Sequence, residues 1–210
     1  MSAIPEQLRL IHVRRGRRLE VVTILWNSLE ALIAIGAGLV AGSIALVGFG
    51  FDSVIEVSSG LALLWRLSID SDIKRRDRVE RMTLKLVGVS FIALAVYVLI
   101  DAIAALVRHE PPSTTFVGIA LAGLSLIVMP VLAKAKRRVA SQIRSAALEA
   151  DSRQTDICAY LSAILLGGLL LNALAGWWWA DPIAAIIMVP IITKEGIEAL
   201  QGKTCCDDCD

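Results

Sequence analysis

Six long apolar stretches, separated by short polar segments, make up most of the chain. A helix that crosses a hydrocarbon core about 30 Å thick needs roughly 20 mostly apolar residues, because lipid offers no partners for backbone polar groups. The pattern therefore predicts an all-α membrane protein with six transmembrane helices. We place these helices at residues 21–41, 43–66, 82–107, 115–134, 154–176 and 178–194.

Two pairs of these predicted helices are joined by very short connections. Gly42 and Ser43 separate the first helix from the second, and three tryptophans at 177–179 separate the fifth from the sixth. Interfacial tryptophans typically lie at the level of the lipid headgroups. We expect two tight helical hairpins, with Asp181 as the N-cap of the sixth helix and Pro182 at its first position, where its missing N–H costs nothing.

Composition supports a membrane protein and indicates neither an enzyme nor a nucleic-acid-binding protein. Apolar residues make up 56% of the chain, above the roughly 45–50% of soluble domains, and the mean hydropathy is +0.69. The formal net charge of +1 gives no information about a nucleic-acid or acidic partner. No phosphate-binding loop, nucleophile motif or nucleic-acid signature is present in the sequence, so we expect no required cofactor.

The placement of the basic residues predicts the orientation. Of the 21 Lys and Arg residues, all but Arg108 flank one side of the predicted helices, which the positive-inside rule makes cytoplasmic. We therefore expect a basic cytoplasmic segment at 1–20, a membrane domain at 21–200 and a cytoplasmic tail at 201–210. The first 20 residues lack a cleavable signal pattern, so we expect a multi-pass protein of a bacterial inner membrane, inserted by its own first helix.

Two carboxylates in the second helix are the first candidates for chemistry. Asp52 and Glu56 lie four residues apart and therefore on one face. Carboxylates this close repel each other, so a metal ion or a proton must compensate their charge. The alternative is a pair that is protonated or hydrogen-bonded to a neighbouring helix, although intramembrane carboxylates are usually functional.

The fifth helix supplies a third carboxylate. Asp156 lies just inside the predicted membrane segment, and Ser152 precedes it by one turn. Asp151 is five residues before Asp156, so we expect it to cap the helix or face water. Cys158 lies on another face than Asp156, and we interpret it as a packing residue.

Several further polar and small residues of the first two helices leave two interpretations open. Asn27 and Glu30 lie one turn apart, and either line the same cavity or form hydrogen bonds between helices. A group of glycines indicates close approach of the two helices. These glycines are Gly36, Gly38, Gly42, Gly48 and Gly50.

Over residues 20–200 the sequence resembles the cation diffusion facilitator family. The resemblance is carried by GSIALVGFGFDSVIEVSSG in the second helix, ALEADSRQTDICAYLSAILLGG in the fifth and WADPIAAIIMVPIITKEG in the sixth. It implies a metal site between the second and fifth helices, where a His or Asp lies four residues before an Asp on each helix. The corresponding positions here are Asp52 and Glu56 in the second helix, and Ser152 and Asp156 in the fifth.

The sequence departs from the family pattern in ways that bear on the metal. Glu56 and Ser152 stand where Asp and His or Asp are usual, and the chain resembles a short form without the C-terminal cytoplasmic domain. Oxygen ligands suit harder ions such as manganese and magnesium, whereas imidazole suits zinc. The resemblance still favours zinc as the substrate, with cadmium, cobalt, iron and manganese as alternatives.

The resemblance implies a secondary transporter that exports a divalent metal cation, in exchange for protons. It also implies a homodimer, which here would have to form through transmembrane contacts. A different class remains open, namely a membrane metal sensor or regulatory partner that carries no flux. A purely structural membrane protein is the third interpretation.

The cysteine-rich tail is a second candidate metal site. Cys205, Cys206 and Cys209 lie among three aspartates in the last six residues, and deprotonated thiols bind soft ions such as zinc or cadmium. The alternative is a tail without a structured site, because no motif spacing fixes a geometry.

Overall fold

The computed structural model describes residues 6–68, 73–109, 112–113, 115–143 and 146–201, and every regular element within those ranges is an α-helix. The all-α prediction is thereby confirmed. The helices are α1 (Glu6–Ala41), α2 (Ile44–Ser68), α3 (Ile73–Arg108), α4 (Phe116–Ile143), α5 (Ala146–Ala175) and α6 (Ala180–Gln201).

Five of these helices are long and apolar enough to cross a membrane. Their apolar segments are Ile11–Ala41, Ile44–Trp65, Gly88–Arg108, Phe116–Gln142 and Asp151–Ala175. The sixth helix carries Asp181 in its first turn and Lys194, Glu195 and Glu198 near its end, which shortens its apolar part. The sixth membrane span and the cytoplasmic termini therefore stay predictions. The tail from residue 202 onward, with the predicted site at Cys205, Cys206 and Cys209, lies outside the described residues.

Both predicted helical hairpins are present. Gly42 adopts a positive φ of 68° and ends α1, while the Ser43 N–H donates to the carbonyl of Gly38 at 3.0 Å. A left-handed glycine at this position satisfies the last carbonyls of a helix without a Cβ clash. Gly176, with a φ of 66°, plays the same part between α5 and α6.

The predicted role of Asp181 as the N-cap of its own helix is wrong. Its carboxylate accepts hydrogen bonds from the Ile44 N–H at 2.9 Å, the Ala45 N–H at 3.4 Å and the Ser43 hydroxyl at 2.5 Å. The first turn of α2 has unsatisfied N–H donors that attract an anion, so Asp181 caps α2 from across the bundle. Ser43 also accepts from the Leu46 N–H at 3.2 Å, as a local cap does.

Helix packing places α2 at the centre of the bundle. The most extensive contacts join α1 to α2, α4 to α5 and α3 to α6, and α2 also touches α3, α5 and α6. The interior holds apolar side chains such as Phe49, Leu165 and Met188, whereas large apolar side chains such as Leu32 and Val40 lie on the outside. An apolar exterior is what a bundle surrounded by lipid requires.

Glycines allow α1 and α2 to approach closely, as the sequence predicts. A Cβ at Gly38 would lie 2.7 Å from a side-chain carbon of Val47, and a Cβ at Gly50 would lie 2.7 Å from one of Ile35. Gly36, by contrast, faces open space. The close approach brings polar residues of α1 against the carboxylates of α2.

Candidate metal site

Asp52 and Glu56 lie on the buried face of α2, as their spacing predicts. Their exposed fractions are 5% and 3%. They interact electrostatically with each other, and Asp52 also interacts with Glu30 of α1 and Glu195 of α6. Three buried carboxylates from two helices therefore interact with one another, with the half-buried Glu195 as a further neighbour of Asp52, and this arrangement attracts cations.

Glu30 extends this acidic region towards α4. Its carboxylate accepts a hydrogen bond of 3.3 Å from the hydroxyl of Ser53 on α2 and also lies close to Ser125 on α4. All three side chains are buried. Of the two interpretations that the sequence left open for Glu30, the contact between helices is observed, and the carboxylate also lies near the α2 pair.

Asn27 is a fully buried amide whose polar atoms are free. In the described part of the molecule neither its Oδ1 nor its Nδ2 has a hydrogen-bond partner, so no interhelical hydrogen bond of Asn27 is observed. One turn after Asn27 in α1, Glu30 contacts Ser53, and about two turns before Asn27, Glu20 lies against Gly60. Asn27 lies between these contacts in α1, as Glu56 does in α2. An unpaired buried amide is costly, and its oxygen is available as a ligand.

The contact between α2 and α5 is made by a residue that the sequence did not single out. The Thr155 hydroxyl donates a hydrogen bond of 2.9 Å to Oε1 of Glu56, while Oε2 of Glu56 has no partner among the described residues. Cys158, one turn further on, is buried beside the same carboxylate. Thr155 was missed because a single threonine in an apolar helix carries no sequence signal of its own.

Asp156 occupies a different environment from Asp52 and Glu56. Its side chain is 33% exposed and forms an ion pair with Arg137 of α4. Ser152 is fully buried, and its hydroxyl donates to the backbone carbonyl of Glu149 at 2.6 Å. The structure therefore brings Thr155, rather than Asp156, against Glu56.

A buried lysine joins four helices beside this region. The Lys136 ammonium in α4 lies 2.6 Å from Oδ2 of Asp151 in α5 and 3.1 Å from Oε2 of Glu20 in α1. It also donates to the Thr155 hydroxyl at 3.4 Å, which links it to Glu56. The expectation that Asp151 caps its helix or faces water is wrong, because the carboxylate is only 6% exposed and pairs with this lysine.

Helical periodicity could have identified this lysine. Lys136 shares a buried face of α4 with Met129, Leu132, Ala133, Val139 and Ala140. On α1 the buried residues Glu20, Thr23, Asn27 and Glu30 recur every three or four positions in the same way. This spacing is typical of a face turned towards the interior.

The described acidic side chains near α2 do not by themselves form a metal site. Within residues 6–201, where described, no group of three or more His, Cys, Asp or Glu side chains is placed to hold a metal ion. Asp52 and Glu56 would need neutral oxygens such as those of Asn27 and Thr155 to complete a coordination shell. Such a set of oxygens suits hard or borderline divalent ions, whereas the thiol of Cys158, buried beside Glu56, would suit softer ions.

Comparison with known proteins shows similarity to cation efflux proteins. The model of the cation efflux transmembrane domain matches residues 21–201. The chain is 25% identical to an uncharacterized transporter of Synechocystis sp. over 73% of this chain and 52% of the relative. It is 25% identical to the cation-efflux pump FieF of Shewanella oneidensis over 44% of this chain and 31% of the relative.

The name of a third relative includes a metal. The manganese efflux system protein MneP of Bacillus subtilis is 25% identical over 89% of this chain and 66% of the relative. The chain thus spans about half the length of the Synechocystis relative and about two thirds of that of MneP.

Proposed function

The chain belongs to the cation efflux family, and from that premise we propose that it is a secondary transporter that exports a divalent metal cation from the cytoplasm. The observation that carries the proposal is the burial of Asp52 and Glu56 on one face of the central helix. Ionisable groups at such depth are rare and mark ion pathways. The names of two relatives, a cation-efflux pump and a manganese efflux protein, agree with it.

In this proposal Asp52 and Glu56 provide the negative charge that binds the ion. Asn27 offers a buried amide without a hydrogen-bond partner among the described residues. The Thr155 hydroxyl donates a hydrogen bond to one carboxylate oxygen of Glu56, and the other oxygen of Glu56 has no such partner. Asp156 and Ser152 are proposed as additional ligands on the resemblance alone. For Asp156 this requires that its ion pair with Arg137 opens during transport.

Two arguments about the identity of the transported ion lead to different candidates. The resemblance favours zinc, whereas the carboxylate and amide oxygens near Asp52 suit manganese better. The Cys158 thiol beside Glu56 suits softer ions; cadmium, cobalt and iron complete the set of candidates. One relative is named as a manganese efflux protein. We therefore propose that a panel of these five ions contains the substrate.

Proton antiport is the proposed means of coupling. Carboxylates in a low-dielectric interior hold either a cation or a proton, so protonation from one side releases the metal. Rocking of helices around the site would expose it to each side in turn. We also propose a homodimer formed by lipid-facing helix surfaces.

Metal flux into proteoliposomes tests the proposal directly. The native chain should transport at least one ion of the panel, and flux should depend on a pH gradient. Asp52→Asn and Glu56→Gln should abolish flux while the protein remains folded. Binding without flux for every ion would instead assign the chain as a metal sensor or regulatory partner.

A further inference from the structure

Lys136 lies inside the bundle with no exposed surface. Its ammonium contacts two carboxylates, Asp151 at 2.6 Å and Glu20 at 3.1 Å, and a hydroxyl, Thr155 at 3.4 Å. A buried ammonium needs such partners because the loss of hydration is costly. This lysine cluster, defined by Lys136, Glu20, Asp151 and Thr155, is separate from the ligands proposed above except for Thr155.

The lysine cluster contains one ammonium group and two carboxyl groups. One positive charge faces the carboxylates of Glu20 and Asp151 and, through Thr155, that of Glu56. Among the described residues Oδ1 of Asp151 has no hydrogen-bond partner, although the residue is only 6% exposed. This oxygen of Asp151, buried beside the Lys136 ammonium, is therefore free to bind a cation.

The lysine cluster lies between one end of the helix bundle and Glu56. Glu20 lies near the start of the apolar part of α1, Asp151 begins the apolar segment of α5, and Lys136 lies near the end of that of α4. A Cβ at Gly60 of α2 would lie 2.5 Å from Oε1 of Glu20, so the carboxylate fills the space beside α2 as well. Residues of α1, α4 and α5 thus close this end against α2.

We propose that Glu20 and Asp151 form a second site for a divalent cation. In this structure the Lys136 ammonium occupies that site. A divalent cation displaces the ammonium and then reaches Glu56. The inference rests on the proposed transport function for its second half. The flexible four-carbon stem of lysine allows the ammonium to withdraw. A divalent ion is favoured there because its attraction to the two carboxylates is twice that of a single charge.

Removing the ammonium tests whether the second site exists. Three full-length proteins are compared: the native chain, Lys136→Gln and the double variant Lys136→Gln/Glu20→Gln. In all of them serine replaces Cys205, Cys206 and Cys209, so that the tail has no thiols to bind metal. Lys134→Gln is the matched control, because it removes the same charge from an exposed position of the same helix. Manganese and zinc, each alone, are titrated in detergent by calorimetry.

The expected result is one additional ion per chain for Lys136→Gln compared with the native chain and with Lys134→Gln. The added Glu20→Gln should remove that ion again. The inference is overturned if a monodisperse Lys136→Gln protein binds the same number of ions as the native chain. It is also overturned if neither of these two proteins binds any ion. Binding is measured without a gradient, so the two proposals can fail separately. A second bound ion without metal flux contradicts only the proposed transport function. Metal flux without a second bound ion contradicts only this inference.

A further variant decides the question if Lys136→Gln does not fold. Glu20→Gln keeps the ammonium and removes one carboxylate that attracts the incoming cation. We expect the rate constant for manganese binding, measured by stopped flow with an indicator dye, to fall about tenfold. A rate equal to that of the native chain overturns the inference.

Discussion

The hydroxyl of Thr155 in α5 donates a hydrogen bond of 2.9 Å to Oε1 of Glu56 in α2. This contact joins the helix that carries the paired carboxylates to the helix that the family resemblance pairs with it. Oε2 of Glu56 has no hydrogen-bond partner among the described residues, and in the proposed site this oxygen binds the ion. The hydroxyl of Thr155 is therefore expected to matter more than its methyl group.

Thr155→Val tests this relationship because valine keeps the shape and removes the hydroxyl. A hydrogen bond to a charged group contributes about 1.5–3 kcal/mol, so the dissociation constant of the transported ion should rise about tenfold or more. Calorimetric titration of the purified variants measures it. Thr155→Ser keeps the donor and should bind as the native chain does; a valine variant with native affinity would show that Glu56 needs no such support.

Asp156 and Arg137 allow the family assignment of α5 to be tested. If Asp156 is a ligand, Asp156→Asn should abolish flux, whereas Arg137→Gln should release the carboxylate and lower KM for the ion. We expect this asymmetry. Equal and small losses of flux in both variants would assign Asp156 to the exposed ion pair, which contributes little to stability.

The cap that Asp181 forms on α2 predicts a loss of stability. Asp181→Ala removes the acceptor of hydrogen bonds from the Ile44 and Ala45 N–H groups and from Ser43. Loss of a cap costs about 0.5–2 kcal/mol, so the midpoint of thermal unfolding in detergent should fall by several degrees. Glu198→Ala, at a half-exposed position of the same helix, is the control and should unfold as the native chain does.

Apolar periodicity was sufficient to predict the six helices but not their ends. The structure begins α1 at Glu6 and α3 at Ile73, before the predicted starts at 21 and 82. Amphipathic helix can continue beyond the hydrocarbon, where water and charged side chains are available, and hydropathy alone does not register it. The hairpin break at Gly42 was predicted, whereas the second break begins at Gly176, one residue before the predicted tryptophan cluster; both glycines adopt a positive φ, which favours glycine.

The interior polar residues were only partly predictable. The burial of Asp52 and Glu56 followed from two carboxylates at helical spacing inside an apolar run. Lys136 was grouped with the cytoplasmic basic residues because it follows the apolar stretch, although helical spacing places it on the buried face of α4. Its partners, Glu20 and Asp151, come from distant segments, and no local pattern in one sequence relates them.

The glycines of the first hairpin give a prediction with an internal control. Gly50→Ala would place a Cβ 2.7 Å from a side-chain carbon and 3.0 Å from the backbone nitrogen of Ile35, so α1 and α2 would have to separate. Gly36→Ala meets nothing within 4 Å, and alanine is a better helix former than glycine by about 1 kcal/mol. We expect the first variant to lower the midpoint of thermal unfolding and the second to leave it unchanged or raise it.

The same pair of variants relates packing to function. Separation of α1 from α2 would move Asn27 and Glu30 away from Glu56, so Gly50→Ala should also weaken metal binding in whatever fraction remains folded, whereas Gly36→Ala should bind normally. Thermal unfolding and calorimetric titration of the same preparations measure both effects. If Gly50→Ala unfolds at a lower temperature but binds with native affinity, the polar residues of α1 take no part in the site, and the carboxylates of α2 must find their remaining ligands on other helices, such as α5.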